Sequence, residues 1–292
     1  MPWISQTDHL IMGEAIFILI FSILPLLIAS PAVATEDQFS DTGTSSNANV
    51  KLTVVYDNNR LRPGMETDWG FGCVVQAGNQ RLLFDTGGDG ELLLRNMKRM
   101  QIAPDSIDAV MISHVHQDHL GGLEKFLQMY SDLPVYIPEL FPEHVSRLII
   151  ASGATPVRVA GPIDILPQVM SLGVISNGID EQVAAIRTAE GWILLTGCAH
   201  PGIVNILSQG LDLLQTDQIY LTLGGFHLRN LSESRIRKIA EDMQQLGLQR
   251  IAPCHCSGLT ARKVFREKYG KDFIKLGVGG VININTNTNG GD

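Results

Sequence analysis

The chain has 292 residues, a formal net charge of −8 and 45% hydrophobic residues. Once an apolar start is set aside, that length allows one sizeable α/β domain rather than two. The acidic balance, without any block of Lys or Arg, argues against nucleic acid or another polyanion as a partner held by simple electrostatics. Four cysteines (Cys73, Cys198, Cys254 and Cys256) do not make a disulfide framework in a domain this large. Cys254 and Cys256 are also too close to bridge each other without strain.

Residues 15–30 are almost wholly apolar, and Pro31-Ala32-Val33-Ala34 offers a small-residue cleavage site. The run is shorter than the ~20 residues that span a bilayer comfortably. Residues 1–34 therefore read as a signal peptide, with an uncleaved membrane anchor as the rival, although residues 1–14 hold no Lys or Arg. The expected location is exported, periplasmic or extracellular, or N-terminally anchored, with the membrane a partner only through this segment. Residues 35–49 are polar, small and aperiodic, as in a flexible linker. Residues 50–292 are left for the domain.

Val50 to Val55 reads as a first strand, ended by the turn-prone Tyr56-Asp57-Asn58-Asn59. Arg60 to Gly72 is a Gly-, Pro- and charge-rich loop containing Trp69. A hairpin follows, turning at Ala77 to Gln80 and ending at Asp85-Thr86-Gly87. Leu92, Leu93, Met97 and Met100 give the next helix, starting near Gly90, its apolar face. Asp85 is a candidate to cap that helix. Ile107 to Ile112 is a buried strand, Leu123 to Tyr130 a helix, Val135 to Ile137 a strand and Glu143 to Ala151 a helix. Strand material runs from Ile163 to Ile175, and Gln182 to Ile186 pairs with Trp192 to Leu195 across a turn. Pro201 stands near the first turn of a helix reaching Leu214. Ile219 to Leu223 is a strand, Ser232 caps an amphipathic helix to Leu246, and Arg250 to Ala252 is another strand. A helix from Leu259 to Tyr269 and a strand from Leu276 to Ile284 close the domain.

The chemistry concentrates where strands end. Ser113-His114-Val115-His116-Gln117-Asp118-His119 sets four potential metal ligands within six residues of one another, directly after a core strand. Neutral imidazoles suit zinc and similar cations, and a carboxylate adds the negative charge that a second cation needs. His200 and His255 also follow predicted strands, so ligands share one address at the open end of a sheet. Burying such groups unpaired in a core would be costly, which disfavours a merely structural cluster.

His-x-His-x-Asp-His after a strand resembles the signature of the metallo-β-lactamase superfamily. Leu82-Leu83-Phe84-Asp85-Thr86-Gly87 is similar to its first motif. Thr196-Gly197-Cys198-Ala199-His200, Gly224-Gly225-Phe226-His227 and Pro253-Cys254-His255-Cys256-Ser257-Gly258 resemble one branch, the metal-dependent hydrolases that include the archaeal dihydropterin ribofuranosylaminobenzene phosphate synthases. The resemblance covers Val50 to Ile284 and implies a four-layer αββα sandwich.

It further implies two divalent metal ions, zinc first with manganese or iron as alternatives, and a small-molecule substrate. His114, His116 and His200 would hold one cation, and Asp118, His119 and His255 the other. Asp85 would support a ligand histidine from behind. Cys198 stands where many relatives carry a bridging aspartate, so it is either a thiolate ligand or a packing residue. Trp69 replaces a histidine of the relatives and is either a candidate, with Arg229, for contact with substrate or a loop anchor packed on the core; Arg158 is a further candidate anion contact. Asp118 is a candidate for proton handling, and His227 either faces substrate and handles protons or supports a ligand by a hydrogen bond. The expected activity is hydrolysis of an ester, phosphoester, lactone or amide by a metal-activated hydroxide. The alternatives are the synthase chemistry of the archaeal relatives and a non-catalytic, metal-holding sensor.

Overall fold

The computed structural model describes residues 49–284; the leader, the linker up to residue 48 and the tail from Asn285 lie outside the described residues. The strands are β1 (Val50–Asp57), β2 (Phe71–Ala77), β3 (Gln80–Phe84), β4 (Ala109–Met111), β5 (Pro134–Pro138), β6 (Thr155–Val159), β7 (Ile163–Leu166), β8 (Val169–Ser176), β9 (Asp180–Thr188), β10 (Gly191–Thr196), β11 (Ile219–Gly225), β12 (Leu248–Cys254) and β13 (Val281–Ile284). The helices are α1 (Gly90–Arg99), α2 (Gln117–Leu120), α3 (Leu123–Met129), α4 (Glu143–Ala151), α5 (Ile203–Leu213), α6 (Glu233–Gln245) and α7 (Gly258–Tyr269).

Two sheets form, one in the order β13-β1-β2-β3-β4-β5-β6 and one in the order β12-β11-β10-β9-β8-β7. Alternation along β1 explains how they stack. Val50, Leu52 and Val54 join a core with Leu195, Leu221 and Leu223 of the other sheet, whereas Val55 points to the helix side. Outside the first sheet, Leu93 and Met97 of α1, Phe126 of α3 and Ile149 of α4 make a second core. Outside the other sheet, Ile206 of α5, Ile236 of α6 and Phe265 of α7 make a third. The result is the expected helix–sheet–sheet–helix sandwich.

Gln182 of β9 joins the two sheets directly. Its buried side-chain amide donates to Ile112 O at 2.9 Å and Tyr136 O at 3.1 Å, and accepts from Ser171 Oγ at 2.9 Å. The pairs β3–β4 and β10–β11–β12 are parallel, so their carboxyl ends open toward one edge of the sandwich.

Several local expectations are corrected. Asp89, not Asp85, caps α1, accepting from Glu91 N and Leu92 N. The helix after Pro201 begins two residues later, at Ile203, because Gly202 takes φ 95° at its cap. The last strand is shorter, since residues 276–280 turn to bond the loop at Asn59 and Leu61 before β13 begins. The edge strand β6 was not anticipated, its half-exposed Thr-Pro-Val-Arg-Val lacking a clean apolar pattern.

Candidate metal centre

Each predicted ligand sits just past a strand. His114 and His116 follow β4, Asp118 and His119 lie in α2, and His200, His227 and His255 follow β10, β11 and β12. Potential ligand atoms of His114, His116 and His200 lie within 4.8 Å of one another, as do those of Asp118, His119, Cys198 and His255. A third such group, Cys198, His200 and His227, overlaps both. The two sequence-implied triads are thus each brought together, with Cys198 added to the second.

The outer nitrogens of four rings are already committed. His119 Nδ1–H donates to Asp85 Oδ2 at 2.7 Å, and His200 Nδ1–H to Glu181 Oε2 at 3.0 Å. His255 Nδ1–H donates to Asn58 Oδ1 at 3.0 Å, since the Asn58 amide nitrogen donates to His255 O. Ser113 Oγ donates to Asp85 Oδ2, so it accepts from His114 Nδ1–H at 2.9 Å. These assignments follow from the network and leave a lone pair on the inner nitrogen of each of these four rings when neutral. His119 Nε2 faces His255 Nε2 at 3.2 Å and Cys198 Sγ at 3.2 Å, while His114 Nε2 faces His116 Nδ1 at 3.1 Å. The facing lone pairs of neutral His119 and His255 repel unless positive charge lies between them. A neutral imidazole backed by a carboxylate is the usual form of a metal ligand, so the donor set fits divalent cations.

Burial and neighbouring charge act differently on the ligands. Burial pushes His114 and His119 down to about 3, which keeps both neutral. Burial would raise Asp118, but the hydrogen bond with His255 holds it below the usual carboxylate range. His255 is pushed down by burial yet ends above the ordinary value, because the Asp118 carboxylate lies 3.3 Å from Nε2. Asp85 is pushed up to about 7 by burial, while three donors at 2.7 Å favour its ionised form.

Glu181 was not singled out from sequence. Fully buried on β9, it accepts Cys198 N at 2.9 Å, Ala199 N at 2.8 Å and His200 N at 2.8 Å, besides the His200 ring. Burial raises it, but these donors bring it down to about 2. Asp57 and Asn58, read as mere turn formers, do the same for the last ligand loop: Asp57 Oδ2 accepts His255 N at 3.1 Å. Asp85, His227 and His255, with Ala199 beside His200, all hold positive φ between 46° and 57°. Such backbone costs of order 1–3 kcal/mol per residue, and it persists where surrounding bonds overdetermine it. Gly197 has a different reason: a Cβ there would collide with the Ser113 side chain.

Cys256 lies with its Sγ 3.3 Å from that of Cys198 and accepts from His227 N at 3.3 Å. Its place beside His255 in the sequence was the available signal. Burial raises both thiols; within the pair, hydrogen bonds from Cys198 and His227 draw Cys256 down and leave the proton on Cys198. His227 is exposed, its ring 4.6 Å from that of His200, and the bond to Cys256 pushes it up. Trp69, 40% exposed, stands 4.9 Å from the His255 ring, with the Arg229 guanidinium over its face at 5.1 Å. Arg158 is not available as an anion contact: it is spent on Glu139 O, Phe141 O, Ser146 Oγ and the Glu143 carboxylate. His144 is on the exposed face of α4.

The profile of the metallo-β-lactamase superfamily matches residues 73–167. A 7,8-dihydropterin-6-methyl-4-(β-D-ribofuranosyl)-aminobenzene-5′-phosphate synthase of Methanocaldococcus jannaschii is 30% identical over 247 residues, covering 70% of this chain and 84% of the relative. Among solved structures, a metal-dependent hydrolase of the β-lactamase superfamily superposes with a TM-score of 0.65 at 26% identity, covering 80% of this chain and 98% of its own. The metallo-β-lactamase fold protein YhfI of Bacillus subtilis shares the fold, with a TM-score of 0.60 at 16% identity over 81% of this chain and 99% of its own. With its sandwich, its ligand-bearing strand ends and these relatives, the chain belongs to the metallo-β-lactamase superfamily, in the branch that includes the archaeal synthase.

Proposed function

We propose that the chain is a metal-dependent hydrolase that opens an ester, phosphoester, lactone or amide bond in a small molecule. The observation that supports this reading most is the convergence of ring nitrogens, His119 Nε2 on His255 Nε2 at 3.2 Å and His114 Nε2 on His116 Nδ1 at 3.1 Å. His114, His116 and His200 would hold one divalent cation. Asp118, His119 and His255, with Cys198, would hold a second; zinc suits both groups, and manganese or iron are the alternatives. Bound cations of this kind act as Lewis acids and bring the pKa of water near neutrality. Asp118, held ionised, is the residue to accept a proton at its carboxylate. His227, exposed and pushed toward its charged form, is the one to donate a proton to a leaving group. Trp69 offers a ring face and Arg229 a cation to the substrate.

The likeness to the archaeal synthase favours a second reading, in which the same groups serve the joining of a dihydropterin to a ribofuranosylaminobenzene phosphate. That chemistry calls for cytoplasmic substrates, so export of the chain through residues 1–34 would weigh against it. Elemental analysis of the purified protein beside Asp118→Ala/His119→Ala tests the site. About two equivalents of metal per chain falling to one is expected, followed by turnover in an ester and phosphodiester screen. Absence of bound metal after anaerobic preparation would overturn both enzymatic readings. Product formation in the synthase assay without hydrolysis would replace the first with the second.

A further inference from the structure

Seven basic side chains on the described surface are matched to acids: Arg95 and Arg99 to Glu66, Lys125 to Glu91, Arg158 to Glu143, Arg237 to Glu233, Lys238 to Asp242 and Lys268 to Glu241. Among the cations that form no such pair, five stand together. Arg60 from the loop after β1, Arg262, Lys263 and Arg266 from α7, and Lys275 from the segment after it line one cavity of about 390 Å³, whose wall contains no acidic side chain. None of the five forms an ion pair among the described residues. Lys263 does reach Glu233 electrostatically, but that carboxylate is bound by Arg237.

Arg262 is the most telling of them. It is only 8% exposed, and its Nη2 donates to Leu276 O at 2.7 Å. That bond uses one of five guanidinium donors, and no carboxylate offsets the charge. A buried cation without a counter-charge is costly, and four like charges around it raise the cost. In a chain of net charge −8, leaving five cations without acids around one concavity is best explained by an anion that completes it.

We infer that this cavity is a binding site for a phosphorylated small molecule, separate from the candidate metal centre. Guanidinium forks and lysine ammonium groups together suit a phosphate dianion. The volume falls in the roughly 300–1,000 Å³ range of small-molecule clefts, and Leu259, 82% exposed in the wall, offers an apolar ledge for an organic body. The cavity shares no residue with the metal-ligand groups. It adjoins them through Asn59, which lines it and bonds Asp57 Oδ1 at 2.7 Å, while the other Asp57 oxygen accepts His255 N.

The test is titration of the full chain with inorganic phosphate and with phenyl phosphate, at an ionic strength held constant with potassium chloride. Binding is read by calorimetry and by the unfolding midpoint. The wild type is compared with Lys263→Gln/Lys275→Gln, both exposed positions, and with Arg60→Gln alone. Saturable binding that weakens roughly tenfold to a hundredfold in the double variant, at unchanged metal content, is expected for lost charge-assisted bonds. Phenyl phosphate should bind at least as tightly as inorganic phosphate. Equal binding by wild type and both variants would place the anion elsewhere, at the metal centre for instance, and overturn the inference. A midpoint shift reproduced by chloride alone, or exclusion of phenyl phosphate, would overturn it as well.

Discussion

The two ligand groups of the centre are built differently. The first, His114, His116 and His200, is all imidazole, and two of its members remain partly open to solvent beside the exposed His227. The second, Asp118, His119, Cys198 and His255, adds a carboxylate and a thiol and is buried at three of its four positions. Their supports differ too. Glu181 fixes the first from the second sheet, whereas Asn58 and Asp57 fix His255 from the first sheet. Asp85 alone serves both, through Ser113 to His114 and directly to His119. On the proposed reading, the more open group is the one to meet a substrate and the buried one holds charge in place.

Removing the shared support should collapse the distinction. Asp85→Ala strands a buried histidine and the Ser113 N–H, so a loss of roughly 3–5 kcal/mol in denaturant unfolding is expected. Metal affinity should fall at both groups. Glu181→Gln should separate them: the amide keeps one acceptor oxygen where the carboxylate serves four donors. A roughly ten- to hundredfold loss of metal affinity at the three-histidine group alone is expected, read by competition with a chelator. Cys198→Ser should act on the other side, weakening the second cation by roughly tenfold, about 1.4 kcal/mol. Metal stoichiometry at limiting concentration checks it; retention of both cations with unchanged affinity would make Cys198 a packing residue.

Acid should sharpen the same contrast by the smallest margin. His255 has its affinity for protons raised by Asp118, whereas His114 is held neutral down to about 3. A proton on His255 competes with a cation there, so as pH falls through the raised value the second group should release metal before the first. Metal titrations between pH 8 and pH 6 test the order of release.

The strand-end histidines were legible because a short motif and an apolar run are both local. His114, His116, Asp118 and His119 lie within six residues, and the strands that deliver His200 and His255 show as apolar stretches. Glu181 was hidden because its partners are 17 to 19 residues away and its own strand looks ordinary. Asp57 lies 198 residues from His255, so nothing near it in sequence distinguishes a turn former from a clamp. The basic cavity was hidden for the same reason: its cations come from three separate segments of an acidic chain. The short last strand and the displaced start of α5 were decided by Gly277 to Gly280 and by Gly202, whose conformations no apolar periodicity reports.

Gln182 carries one more consequence. Its side-chain amide is buried between the two sheets and occupies the carbonyls of Ile112 and Tyr136 just behind His114, while its backbone N–H donates to Ser113 O at 2.9 Å. If the halves of the sandwich breathe apart, that amide must let go first, and the ligands at the two strand ends separate with it. Deuterium uptake at the Gln182 backbone amide, bonded to Ser113 O across the sheets, therefore serves as a clock for opening of the whole centre.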